Sequence, residues 1–298
     1  MLIRQDGAAL RVEAPAKLNL FLDVLGRRDD GFHELETLMV TISLHDTLRF
    51  TEEPTSAIRL RCHGEVSAGE SAPTGDDNLV VQAARLLQRH AGISRGAAIE
   101  LTKRIPVASG LAGGSTDAAA ALVALDRLWE LGLAPEELSS LAAQLGSDVA
   151  FFVRNIPAAI CRGRGEQVER VDRILALPFV VARPTSGLST AEVYRHCQVS
   201  TEPRTAAPLV DALARGQFAT SIGLFHNSLQ QPATELNKEV TRLLALMSQE
   251  QVAATAMTGS GSACFSLCTT DRQARTVARR LLASGVPWAV AVRSGADA

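Results

Sequence analysis

The chain has 298 residues, 46% of them hydrophobic and 21% charged, with a formal net charge of -2. That length can bury a sizeable core in one large domain or two packed ones, and the near-neutral charge argues against the clustered basic surface of a nucleic-acid binder. No stretch approaches the ~20 apolar residues that span a bilayer. The N-terminal MLIRQDGAALRVEAPAK lacks the unbroken apolar run of a secretory signal, so the expectation is a cytosolic protein with no membrane partner.

In chain order, Ala8 to Ala16 and Leu18 to Leu25 suit strands, and the GRRDDG run from Gly26 to Gly31 is a turn by composition. Leu35 to Phe50 alternates enough for one or two strands, and Ala57 to Cys62 reads as another. Ser67 to Asp77 has loop composition. Asn78 looks like the N-cap of a helix from Leu79 to His90. Ala97 to Thr102 is a short strand, and Asp117 to Leu131 and Pro135 to Leu145 are helices stopped by Gly132 and Gly146. Phe151 to Cys161 and Val168 to Val181 have strand character, with the GRGE turn, Gly163 to Glu166, between them. Helices are expected at Thr190 to His196, Pro208 to Arg215 and Ala233 to Gln249. A strand near Ala253, a glycine turn at Gly259 to Gly261, a strand through Cys268, a helix from Asp271 to Ser284 and a strand from Trp288 to Arg293 complete an α+β pattern. The five cysteines, Cys62, Cys161, Cys197, Cys264 and Cys268, form no CxxC pair and suggest neither a disulfide framework nor a zinc knuckle; Cys264 and Cys268 fit core packing.

The segment most loaded with chemistry is PVASGLAGGSTDAAAALVAL, between a strand and a helix. A helix N-terminus presents unpaired N–H groups and a favourable dipole to an anion. Gly110, Gly113 and Gly114 allow close backbone approach, and Ser115 and Thr116 add hydroxyls. Neither GxxxxGK[ST] nor GxGxxG occurs, so the guest is a polyphosphate held by other means, unless the turn merely serves tight packing. Asp148 follows a Gly-Ser turn and precedes an aromatic run; it is either a general base needing a cationic partner or a capping residue. Lys17, inside an apolar strand, is either the cation that steadies developing negative charge or an edge lysine reaching solvent.

Three segments taken together resemble the GHMP kinase superfamily: PAKLNL, PVASGLAGGSTDAAA, and MTGSGSACF at Met257 to Phe265. The resemblance implies a two-domain GHMP kinase fold, with an N-terminal ribosomal-protein-like βα domain over 1–172 and a C-terminal α/β sandwich domain over 173–298. It implies that Pro106, Val107, Ala108, Ser109, Gly110, Leu111, Ala112, Gly113, Gly114, Ser115 and Thr116 hold the phosphates of ATP. APAKLNLFLDVLGRRDDGFHELET, GSDVAFF and the GRGE turn are similar to the 4-diphosphocytidyl-2-C-methyl-D-erythritol kinase family. That resemblance implies phosphorylation of the substrate's 2-hydroxyl by ATP with Mg2+, in non-mevalonate isoprenoid synthesis, with Lys17 and Asp148 at the catalytic positions. It also implies cytosine held between the rings of Phe32 and Tyr194, its edge read by His33, and a contact from Asn19 to the methylerythritol part. Phe32 stands where the family more usually has Tyr, so it can stack but lacks the hydroxyl. FHNSLQQPA, Phe225 to Ala233, keeps Asn227, Leu229 and Ala233 of the family's NDLExxA segment without its acids. The loop supplies Ser115 and Thr116 but no carboxylate of its own next to the phosphates, so Mg2+ held mainly by ATP oxygens and water would suit the chain. Other readings are a different GHMP kinase such as homoserine kinase and a catalytically silent nucleotide-binding regulator; the charge disfavours a nucleic-acid module, and oligomeric state is not legible.

Overall fold

The computed structural model describes residues 1–64, 74–172, 174 and 176–295. The chain begins with strands β1 (Leu2–Asp6), β2 (Ala9–Arg27), β3 (His33–Glu53) and β4 (Ile58–His63), then helix α1 (Leu79–Ala91) and β5 (Gly96–Thr102). Helices α2 (Gly113–Leu128), α3 (Pro135–Leu145) and α4 (Ser147–Val153) follow, then β6 (Ala158–Gly163), β7 (Gln167–Arg170) and β8 (Pro178–Arg183). The remainder comprises α5 (Thr190–His196), α6 (Ala207–Ala214), α7 (Phe218–Ser221), β9 (His226–Asn227), α8 (Gln230–Leu236) and α9 (Lys238–Ser248). It ends with β10 (Ala254–Met257), β11 (Cys264–Leu267), α10 (Asp271–Ala283) and β12 (Trp288–Arg293).

Two compact units result: Met1–Ala16, Leu44–Val107 and Ala112–Ile156 form the first, and Lys17–Ser43, Ala108–Leu111 and Pro157–Ala298 the second. In the first, β1 pairs antiparallel with the start of β2, the end of β3 pairs antiparallel with β5, and β4 runs parallel to β5. Helix α2 packs against α1 and α4. It can do so closely because Ala118, Ala119, Ala120 and Ala121 are wholly buried and short. In the second unit the start of β3 pairs antiparallel with β6, and β2 runs parallel to β9 at Phe21 and Leu22. A separate four-stranded antiparallel sheet, in the order β10-β11-β8-β12, buries Val180, Ala182 and Cys264 with Leu243 and Met247 of α9 and Val277 and Leu281 of α10. Cys268 joins that core, as expected for both cysteines of this run.

Local signals explain the helix ends. Asn78 Oδ1 accepts from the Val80 N–H at 2.8 Å, and Gly92 closes α1 at φ 62°. Several expectations need correction. Leu18 to Leu25 continues the preceding strand, and β1 lies before it. The aromatic run Phe151–Val153 belongs to α4 instead of a strand, because Ser147 to Val153 buries Val149, Ala150, Phe151 and Phe152 as successive residues of a short turn of helix. Val168 to Val181 splits into β7 and β8. The helix expected over Ala233 to Gln249 is broken at Asn237, whose extended backbone lets its side chain accept from the Glu239 N–H at 2.9 Å and start α9. The loop expected at Ser67 to Asp77 falls outside the described residues except for 74–77, which are exposed.

Candidate active site

In the second unit three stretches distant in sequence meet around Lys17. Its side chain is 3% exposed, and Nζ donates to Asn19 Oδ1 at 2.5 Å and to the Gly110 carbonyl at 2.7 Å. Asn19 is fixed in turn: Nδ2 donates to Thr37 Oγ1 at 2.8 Å, and its backbone N–H donates to Thr258 Oγ1 at 2.9 Å. The glycine turn at 259–261 closes over this group because nothing larger fits. A Cβ on Gly259 would lie 3.1 Å from Lys17 Nζ, and one on Gly110 would come 2.4 Å from the Thr258 carbonyl. Asn227 Nδ2 donates to the carbonyls of Met257 and Gly259 at 2.8 and 2.9 Å. Asn227, one of the three residues kept in the loose FHNSLQQPA segment, therefore braces the glycine turn. The Ala263 N–H donates to the Ser109 carbonyl at 2.9 Å, tying the same turn to the loop.

In the first unit the glycine-rich loop becomes a helix earlier than expected. Helix α2 starts at Gly113, so GGST is its first turn; the change follows from Ala112, which takes a left-handed φ of 59° as N-cap. No side chain caps this end. The amides of Gly113, Gly114 and Ser115 precede the first intrahelical bond, from the Thr116 N–H to the Ala112 carbonyl at 3.0 Å. Gly114 is exposed and Ser115 half-buried, so this end can receive an anion. The Thr116 hydroxyl is buried with no hydrogen-bond partner.

Behind that turn lies a charged cluster that the sequence did not disclose. Asp46, Lys103 and Asp117 are all at most 6% exposed. Lys103 Nζ donates to Asp46 Oδ2 and, at 2.7 Å, to Asp117 Oδ2. Asp46 Oδ1 also accepts the backbone N–H groups of Arg104 and Ile105 at 2.5 and 2.9 Å. Asp117 Oδ1 is buried with no hydrogen-bond partner. Burial pushes the Asp117 carboxyl up to about 8 against the pull of Lys103, and Asp46 adds to the rise. Burial alone would lower Lys103, but the two carboxylates reverse the effect and raise it.

Asp148 stands half-buried in the first turn of α4, just after Gly146, where the helix dipole favours a carboxylate. It belongs to the first unit and Lys17 to the second. Of the three residues expected to hold and read cytosine, His33 and Tyr194 are in contact, their rings 5.2 Å apart and tilted by 35°. Burial, with the charge of Arg27, lowers the His33 pKa from its ordinary value and so favours the neutral ring. Phe32 is 51% exposed, and the Arg164 guanidinium of the GRGE turn lies 4.6 Å over its ring. Sequence reading passed over Arg164, since a lone arginine in a turn carries no signal of its own.

Comparison with known proteins fits this geometry. Residues 78–155 match the GHMP kinases N terminal domain and residues 208–286 the GHMP kinases C terminal domain. A 4-diphosphocytidyl-2-C-methyl-D-erythritol kinase of Pelotomaculum thermopropionicum is 42% identical over 90% of this chain and 92% of its own length. The chain belongs to the 4-diphosphocytidyl-2-C-methyl-D-erythritol kinase family of GHMP kinases. A Bacillus velezensis relative of the same name is 42% identical, with 86% of each chain covered. A crystal structure of a 4-(cytidine 5'-diphospho)-2C-methyl-D-erythritol kinase superposes with a TM-score of 0.80 at 36% identity, covering 96% of this chain and 99% of that one. A homoserine kinase from Cytophaga hutchinsonii shares the fold, TM-score 0.73, at 15% identity over 99% and 96% of the two chains. The fold is that of the GHMP kinases, and the chain is an ATP-dependent small-molecule kinase.

Proposed function

We propose that this kinase transfers the γ-phosphoryl group of ATP to the 2-hydroxyl of 4-diphosphocytidyl-2-C-methyl-D-erythritol. The His33–Tyr194 contact carries the substrate assignment, because an imidazole edge and an aromatic face, with the exposed Phe32 next in sequence, suit cytosine and have no counterpart need in homoserine. Pro106 to Thr116 cradles the ATP phosphates on the open end of α2. Asp148 takes the proton of the acceptor hydroxyl, and Lys17 steadies the developing negative charge. Asn19 aims Lys17 through its carbonyl oxygen, and its second Nδ2 hydrogen is offered to the methylerythritol part. In-line transfer asks for positioning and charge stabilisation more than for covalent help.

Mg2+ is part of the proposal. The buried, unpartnered Thr116 hydroxyl and its neighbour Ser115 suit a hard cation that keeps most of its shell as ATP oxygens and water. Ser115 and Thr116 would hold the ion through their hydroxyls, and it would supply positive charge against that of the transferring phosphates. The cytosolic setting and the division into 1–172 and 173–298 belong to the same proposal.

ADP release against a panel of acceptors tests the reading. The cytidine-bearing acceptor should be phosphorylated and homoserine should not. Asp148→Asn should lower kcat on the order of a thousandfold with ATP KM nearly unchanged. Full turnover in that variant would remove Asp148 from the mechanism, and activity on homoserine that survives His33→Ala would remove the cytidine assignment.

A further inference from the structure

Asp46, Lys103 and Asp117 join two pieces of chain that flank the proposed phosphate loop. On the entry side, Asp46 Oδ1 holds the N–H groups of Arg104 and Ile105, immediately before Pro106. On the exit side, Asp117 follows the GGST turn of α2. Lys103 Nζ bridges the two carboxylates, so the corner that enters the loop and the helix that leaves it are bound to one ammonium group. The fit is close: a Cβ on Gly113 would lie 3.1 Å from Lys103 Nζ and 3.0 Å from Ile105 Cγ2. Gly113 thus owes its identity as much to what lies behind the turn as to a guest in front of it.

We propose that Asp117 and Lys103, anchored by Asp46, are positioning residues for the ATP phosphates, holding the amides of Gly113, Gly114 and Ser115 in the arrangement that receives them. The proposal rests on the reading that this loop holds those phosphates. A purely structural role explains the cluster less well. Two buried carboxyl groups on one lysine are a costly way to fill a core, and an apolar side chain at 117 would leave a balanced Lys103–Asp46 pair. The second oxygen of Asp117 gains no hydrogen bond in return for its burial. Among the described residues, the titratable groups that act on Asp117 are Asp46 on β3 and Lys103 after β5, and Asp117 in turn raises the thiol of Cys62 on β4, which burial already raises.

Two variants at one position separate positioning from packing. Asp117→Leu keeps the Lys103–Asp46 pair and fills the volume, so the melting temperature should stay at or above that of the parent. Its ATP KM should rise about tenfold while the KM of the alcohol acceptor stays put, the signature of a displaced phosphate cradle. Asp117→Asn keeps an oxygen for Lys103 and should restore ATP KM to within about twofold of the parent. Parental ATP KM in Asp117→Leu overturns the proposal, as does an equal rise in both KM values or a loss confined to kcat. If Asp117→Leu does not fold, Asp117→Ala carries the same expectations. Gly114→Asp, which sets a carboxylate on the exposed first turn, separates the two claims. If it leaves ATP KM alone, the loop reading fails and this inference with it. If it raises ATP KM while the Asp117 variants do not, the positioning role alone fails.

Discussion

Helices α1 and α2 pack side by side in the first unit and begin in opposite ways. The start of α1 is closed: Asn78 Oδ1 satisfies the Val80 N–H, and the cap residue itself is buried. The start of α2 is open, with an alanine at the cap position, no side-chain bond and an exposed Gly114. Ser189, Asn237 and Thr270 cap α5, α9 and α10 in the way Asn78 caps α1, whereas α3, α4, α6, α7 and α8 resemble α2 in having no side-chain cap bond. On the proposed function, the open start of α2 keeps its donors for a phosphate, whereas the start of α1 spends one on its own cap.

Reversing the two ends should reverse their roles. The largest effect belongs to Gly114→Asp, which supplies α2 with its own anion; ATP KM should rise on the order of a hundredfold while the melting temperature holds or increases. A thermal shift with ATP titrated in would read both quantities at once. The complementary change, Asn78→Ala, opens α1 and should lower stability by about 1 kcal/mol with ATP KM unchanged, as urea unfolding and steady-state kinetics would show. If Asn78→Ala weakened ATP binding as much as Gly114→Asp, the contrast between the helices would lose its meaning.

A smaller effect is expected where polar groups are fully partnered. Glu36 accepts from the Ala206 N–H, Thr205 Oγ1 and Arg162 Nε, and Asp23 from Ser228, His226 and the Arg204 N–H. Burial raises both groups, but these donors more than reverse it, and both pKa values fall below their ordinary 4.5 and 3.8. A carboxylate lowered in the fold contributes stability that is complete above its unfolded value and is lost as pH falls through the folded one. Melting temperature should therefore be flat above pH 5 on account of these two groups and decline below pH 4.5. Glu36→Gln should shallow that decline and leave ATP KM at pH 7 untouched.

What was legible in the sequence followed from local chemistry. Asn78, Pro135 with Gly146, and Thr190 mark helix limits that depend on neighbours a few residues away, and those helices stand where they were expected. The strand β1 was missed because Leu2–Asp6 is largely exposed and polar, so no alternation announces it. The Phe151–Phe152 run misled because a buried apolar stretch has no period to separate strand from short helix. At the site, Lys17, Asn19 and the two glycine turns were visible as motifs, and three of those stretches do converge. Asp46 and Lys103 were not, since their meaning lies in a contact across 57 residues and neither sits in a motif. Thr37 and Thr258 were hidden likewise, as hydroxyls that matter only once Asn19 is placed between them.

Ala108 and Ala112 hold left-handed backbone, at φ 49° and 59°, where glycine would rest without strain. Each alanine there raises the energy of the folded chain by about 1 kcal/mol. In return an alanine has fewer other conformations to visit than a glycine would, so on the proposed function this loop has less freedom to lose when it takes up nucleotide. A glycine version would be calmer at rest and would lose more freedom at every encounter with nucleotide. The strain is incurred once, when the chain folds, whereas the benefit recurs with each turnover, and that asymmetry favours alanine in a catalyst over a storage protein.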